Sequence, residues 1–289
     1  MSSRSISTPQ TPVQHSSSRP LYMALVGTFF LRAGGGIMGI LIGLYLSAKN
    51  AEMSSGPTPN LSYIIPYTLV GIILASYFIT ELGGSFISGS LIDRHGPKRY
   101  MIFGPVFGAI AVFITAALHL RSDSPVPQFI LFIALLFATR LLEGASGATT
   151  NPATLAYIAA YTDGDPKLRS RISGYFELAT LIGAASGFVF GGKLWQQFGQ
   201  TAFLLDAGIY LFSALIFFLG VHNIVSKGAA HAESHALRAY LKLVRSPRLR
   251  ELIPAWLAIS GLLGVLFNQV SLQLSDGSGG TGGGALTPA

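Results

Sequence analysis

Seven apolar stretches follow one another between Leu21 and Leu274, separated by short polar connectors. Each is long enough to cross a hydrocarbon core of ~30 Å, which takes about 20 helical residues. In lipid, backbone N–H and C=O groups must be satisfied within their own segment, so stretches of this length are helices. They run from Leu21 to Ala48, Tyr67 to Ile92, Tyr100 to Leu120, Gln128 to Ala148, Ile172 to Gly192, Ala202 to Val221 and Leu252 to Leu274. The fourth can continue as a kinked helix through Pro152 toward Tyr161. The pattern predicts an all-α polytopic membrane protein with seven transmembrane helices. Only 11% of the residues are charged, against roughly a quarter in soluble domains. With no cysteine in the chain, disulfide frameworks, thiolate metal sites and cysteine nucleophiles are excluded.

The net charge of +7 invites a nucleic-acid partner, which would require the basic residues to cluster on one surface. They are distributed by connector instead. Of the 19 Lys and Arg, 14 fall in the N-terminal tail and in connectors two, four and six, and only Lys49, Arg121 and Lys193 in the others. That asymmetry predicts a cytoplasmic N-terminus and, after an odd number of spans, a C-terminus outside. The predicted organisation is a disordered cytoplasmic tail over 1–20, a six-helix bundle over 21–222, a cytoplasmic linker over 223–251, the seventh helix over 252–274 and a Gly-rich tail over 275–289. The tail holds seven Ser and three Pro and lacks the apolar core of a signal peptide. In the linker, Leu237, Leu241 and Val244 share a helical face opposite Arg238, Lys242 and Arg245. That amphipathic helix suits an anionic membrane surface or a position packed under the bundle.

The connector between spans two and three carries Gly89, Leu91, Asp93, Arg94, Gly96, Lys98 and Arg99 at fixed spacing within a very short turn. Gly96 can take the positive φ of a tight reversal, and Asp93 stands among basic groups at a helix end, where it can pair locally or reach a helix dipole. This string resembles the signature loop of the major facilitator superfamily, and it lies between the same two spans. Two further matches accompany it. Arg140 with Gly144 in span four is similar to that family's R-x-x-x-G motif, with Glu143 in the variable slot. Gly183, Gly187, Gly191 and Gly192 in span five resemble its antiporter motif, although Phe188 stands where that motif has proline, so no direction of transport follows. The first three also make a small-residue packing stripe.

The resemblance implies a secondary active transporter of a small solute, proton-coupled, in the plasma (inner) membrane, with the lipid bilayer, the solute and protons as its partners. It implies no enzyme activity, cofactor, metal or nucleic acid. Such transporters are built from two six-helix bundles that rock about a midplane site, and the residue matching Asp93 latches one bundle against the other. The chain supplies one bundle and a single helix of the second. It is therefore expected to be a fragment or split product, or to assemble with a second chain.

Charges inside spans are functional candidates by default. From the ~1.5 Å helical rise, Arg32 lies ~16 Å into span one, Glu81 ~18 Å above Asp93, and Arg140 ~18 Å into span four with Glu143 one turn on. Four charges thus converge near the midplane, the depth at which such transporters hold their sites. Either the pairs Arg32–Glu81 and Arg140–Glu143 are structural, or a glutamate exchanges a proton while the arginines bind an anionic group or tune the carboxylates. Glu177 joins the coupling candidates, although it and Asp206 sit nearer the membrane faces, where gating or packing is expected. The run Gly34-Gly35-Gly36 either lets span one bend or lets another helix approach. Asn268, Gln269 and Gln273 give the seventh span a polar, cavity-lining character.

Three rival functions share parts of this pattern. Gly144-Ala145-Ser146-Gly147 is similar to the G-x-S-G of rhomboid intramembrane proteases, but span six lacks the histidine that would activate Ser146. His231 and His235 have the wrong spacing for a zinc helix and no third ligand. A non-transporting half-bundle that associates with a membrane partner shares every motif with the transporter.

Overall fold

The computed structural model of the chain describes residues 18–55, 64–120 and 125–224, with positions 254 and 258. The predicted seventh span, the amphipathic linker helix, His231, His235 and both tails lie outside the described residues.

Six helices account for nearly all of the described chain: α1 Arg19–Ser55, α2 Tyr67–His95, α3 Pro97–Ala117, α4 Val126–Tyr161, α5 Pro166–Phe198 and α6 Ala202–Gly220. Apolar runs long enough to cross a membrane cover Arg19–Ser54, Thr68–Ser85, Pro97–Ala117, Val126–Tyr161 and the stretch Pro166–Gly220, which folds as α5 and α6. Proline sets several of the starts. Pro97 and Pro166 open α3 and α5 at a position where a missing N–H costs nothing. Asp165 completes the start of α5 by accepting from the Leu168 N–H at 2.9 Å. Pro152 does not end α4, which runs on to Tyr161. α1 likewise continues through Gly34, Gly35 and Gly36 without interruption.

The connectors are tight where the sequence places glycine. Gly96 alone separates α2 from α3, with φ 82°. Gly199, at φ 52°, begins a 3-10 turn, Gly199–Thr201, that separates α5 from α6. Both conformations belong to the left-handed region that glycine adopts without a steric cost.

Sequence neighbours joined by these turns make little contact. The helices instead form an arc in which α5 packs on α1, α1 on α6, α6 on α3, α3 on α4 and α4 on α2. Exchanging α1 with α4, α2 with α5 and α3 with α6 reproduces the same arc. The bundle is therefore two three-helix units of like packing, and because three helices reverse the chain direction, the second unit is inverted relative to the first.

Two apolar cores occupy the two ends. One gathers Tyr45, Phe132, Phe203, Leu41 and Val112; the other gathers Leu21, Met101, Tyr157, Phe176 and Phe217. The carbonyls that end α3 are met by side chains from elsewhere. Gln200 donates to Ala116 O (3.0 Å) and Leu118 O (2.7 Å), Tyr45 to Leu118 O (2.7 Å), and Lys49 to Leu120 O (3.1 Å). At the other end Arg169 of α5 donates to Ala159 O of α4 at 2.7 Å. Outside the cores, large apolar side chains such as Ile79, Ile87, Leu181, Val189 and Leu219 are exposed, a surface suited to lipid.

Candidate functional site

Between the two cores lies a polar waist. Leu31, Arg32 and Gly35 of α1, Tyr77 of α2, Glu143, Ser146 and Gly147 of α4, and Tyr210 of α6 line a small pocket there, of about 20 Å³, room for a single water.

Two ion pairs border it, and they differ in kind. Arg32 Nη1 stands 3.5 Å from Glu81 Oε1, with each side chain about one-fifth exposed (23% and 20%). Asn151 of α4 donates to the same Glu81 oxygen at 3.0 Å. Arg140 and Glu143, one turn apart on α4, bond directly and are almost fully buried, at 5% and 1%. Tyr210 donates to Glu143 Oε1 at 3.1 Å, and the Arg140 guanidinium lies 5.4 Å from the centroid of the Tyr77 ring. The Arg140 guanidinium, held by a carboxylate and an aromatic face, is a neutralised buried charge although its Nε has no hydrogen-bond partner, whereas Arg32 of the looser pair lines the pocket.

Glycines place these groups. A methyl group added at Gly34 would lie 2.9 Å from the Tyr210 ring, and one at Gly108 of α3 would enter it. Tyr210 is thus gripped between two helix backbones, with its hydroxyl turned to Glu143. At Gly147 an added methyl group would lie 2.7 Å from Glu81 Oε1, so the absence of a side chain there leaves room for the carboxylate.

Arg32 and Glu143 accordingly line one pocket, and their partners Glu81 and Arg140 stand behind them. Glu177 does not join them: it is exposed on α5, one position past the buried Phe176 and so about 100° round the helix from the packed face. Gly183, Gly187 and Gly191 lie against α1, with Gly36 opposite Gly187. Gly192 faces away from that seam, and a methyl group there would touch nothing. In the α2–α3 connector, Asp93, Arg94 and Arg99 are exposed, and no hydrogen bond or ion pair to Asp93 occurs among the described residues. Lys98 sits 5.8 Å from the ring centroid of Phe218 of α6. Ser146 lines the pocket with its hydroxyl unbonded.

Tyr77, Asn151 and Tyr210 complete the site, and none of them was expected from the sequence. The available signal was a polar side chain within an apolar helix, which must find a partner when buried.

A sequence model of the Major Facilitator Superfamily matches residues 19–286, nearly the whole chain. The chain belongs to the major facilitator superfamily. Relatives include multidrug resistance protein 1 of Bacillus subtilis, 29% identical over 149 residues, covering 52% of the chain and 35% of that protein. The MFS-type transporter SLC18B1 of Mus musculus is 22% identical over 210 residues, 72% of the chain and 43% of the relative. The methylenomycin A resistance protein of Bacillus subtilis is 28% identical over 176 residues, 59% and 34% respectively. The chain spans less than half the length of these relatives. As a major facilitator protein it is an integral membrane protein of a transporter family, and its inverted three-helix units agree with that membership.

Proposed function

We propose that the chain forms the solute-binding and proton-coupling bundle of a secondary transporter for a small organic molecule. The observation that carries this reading is the contrast between the two ion pairs on one pocket. Arg140–Glu143 is sealed and serves as a fixed support, while Arg32–Glu81 is longer, partly exposed and joins two different helices, α1 and α2. A proton arriving at Glu81 removes the charge that holds Arg32. The guanidinium is then free to meet an acceptor on the solute, and α1 and α2 lose a tie. Relatives whose names carry drug or antibiotic resistance support an organic solute of that size.

The N-terminus is placed in the cytoplasm on the distribution of Lys and Arg, and the second bundle comes from further sequence or from a second chain. Because the chain has no cysteine, single cysteines at Asp163 and Lys193 report sidedness cleanly. Only the second should react with a membrane-impermeant maleimide added outside cells.

The deciding experiment uses the 289-residue chain in lipid vesicles with a trapped pH dye and a panel of drug-like compounds. Compounds that the protein carries should trigger proton flux, and Glu81→Gln should abolish it while leaving the melting temperature in detergent unchanged. Undiminished flux in Glu81→Gln removes Glu81 from the mechanism. Silence of the native chain, alone and with a second bundle, favours a non-transporting half-bundle.

A further inference from the structure

Among the described residues, Asp206 is the one fully buried carboxylate that neither ion pair uses. It lies on α6, one turn before Tyr210, and is completely buried. Both of its carboxylate oxygens are without a hydrogen-bond partner, so even the N–H groups of the first turn of α6 do not reach them. Burial of an ionised carboxylate with neither counterion nor donors is strongly unfavourable.

The surroundings offer no counterion. From α3, the buried residues of the same core are Ala109 and Val112, with Thr115 bonded to Thr139. From α1 the nearest charge on the waist is Arg32, which is paired with Glu81. α5 presents Glu177 and Lys193 outward, both exposed. From α4, Arg140 and Glu143 bond to each other and so neutralise one another, and Glu143 is linked to α6 by Tyr210, one turn beyond Asp206. On α6 itself, Tyr210 gives its hydroxyl proton to Glu143. The waist therefore holds two guanidinium groups and two carboxylates in balance, and Asp206 is a fifth group outside that balance.

We propose that Asp206 is a proton-binding site of the bundle, distinct from the pocket pairs, that holds its proton in this conformation and is coupled to the pocket through Glu143. The carboxyl O–H bond breaks only when water or a cationic group reaches the site, and the proton then passes to water. Any change in the Arg140–Glu143 pair alters the field at Asp206, and by reciprocity the proton on Asp206 alters that pair. In the transport reading this is a second proton store beside Glu81, but the site itself stands on the buried geometry alone.

Infrared spectroscopy of the native 289-residue chain in lipid vesicles tests it without reference to transport. A protonated carboxylic acid has a C=O stretch separate from that of ionised carboxylates. At neutral pH the native chain should show such a band, displaced when the protein is grown on 13C-carboxyl aspartate and absent in Asp206→Asn. The isotope arm needs no mutant and holds even where Asp206→Asn fails to fold. Absence of an aspartate-sensitive band at neutral pH overturns the proposal. Titration to alkaline pH tests the coupling: Glu143→Gln should move the pH at which the band is lost, while Asp163→Asn, in the exposed α4–α5 connector, should not. An unmoved transition in Glu143→Gln overturns the link to the pocket.

Discussion

The seams α1/α5 and α2/α4 occupy equivalent places in the two inverted units and share close glycine packing, to which α2/α4 adds ionic side chains. At α1/α5 the contact is backbone on backbone: a methyl group at Gly187 would lie 2.9 Å from Gly36 Cα, and one at Gly191 would lie 3.2 Å from Ile37 Cα. At α2/α4 small residues also allow close approach, with a methyl at Gly84 falling 2.9 Å from Ala148 Cβ. Here, however, the space beside Gly147 is taken up by Glu81, and Arg140 lies against Tyr77. One seam uses its glycines for close contact; the other uses Gly144 in the same way, against the Tyr77 backbone, and Gly147 to admit charge. Equivalent packing thus leaves the two halves of the bundle free to specialise, one as a frame and one as a site.

The strongest way to break this contrast is Arg140→Ala. If α2/α4 relies on charge satisfaction, removing the cation leaves Glu143 buried without its counterion, at a cost of about 3–5 kcal/mol. Thermal unfolding in detergent measures it, and the double variant Arg140→Met, Glu143→Leu should recover most of the loss. A penalty below about 1 kcal/mol would mean that close packing alone holds this seam.

The next effect belongs to the frame. Gly187→Ala pushes a methyl group onto the α1 backbone, and overpacking of this kind costs about 1–3 kcal/mol. Gly192→Ala, one residue on and facing open space, should stay within about 0.5 kcal/mol in the same melting assay. Equal gains at both positions would show that α5 responds to helix propensity and not to the seam.

Gly147→Ala should give the smallest change in stability and the sharpest test of purpose. Its methyl group displaces a flexible carboxylate, so the melting temperature should shift little. The Arg32–Glu81 pair should open, and compound-driven proton flux should fall at least tenfold. Normal flux with an unaltered melt would detach Gly147 from the placement of Glu81.

The frame was largely legible in the sequence. The six spans of the bundle, the tight turn at Gly96 and the spacing of Gly183, Gly187 and Gly191 all follow from local pattern, and local pattern survives folding. Arg140 with Glu143 was legible for the same reason, being one turn apart on a single helix. The partner of Glu143 was not. Tyr210 lies 67 residues away, and its position depends on the bare backbones of Gly34 and Gly108, which in the sequence read only as helix-weakening residues. Asp206 was expected near a membrane face in a gating or packing role, and its place near the start of α6 gave no sign that it is completely buried. Distance along a span measures depth and says nothing of enclosure.

The grip on Tyr210 has a consequence for how this chain can vary over time. Gly34, Gly108 and Tyr210 come from three helices, and the ring fills the space that the two missing side chains leave. A lineage cannot drift at one of the three alone: alanine at either glycine strikes the ring, and a smaller residue at 210 leaves a void and strands Glu143. The trio is therefore inherited or replaced as a block, and sequences that have abandoned Tyr210 should have regained side chains at both glycine positions.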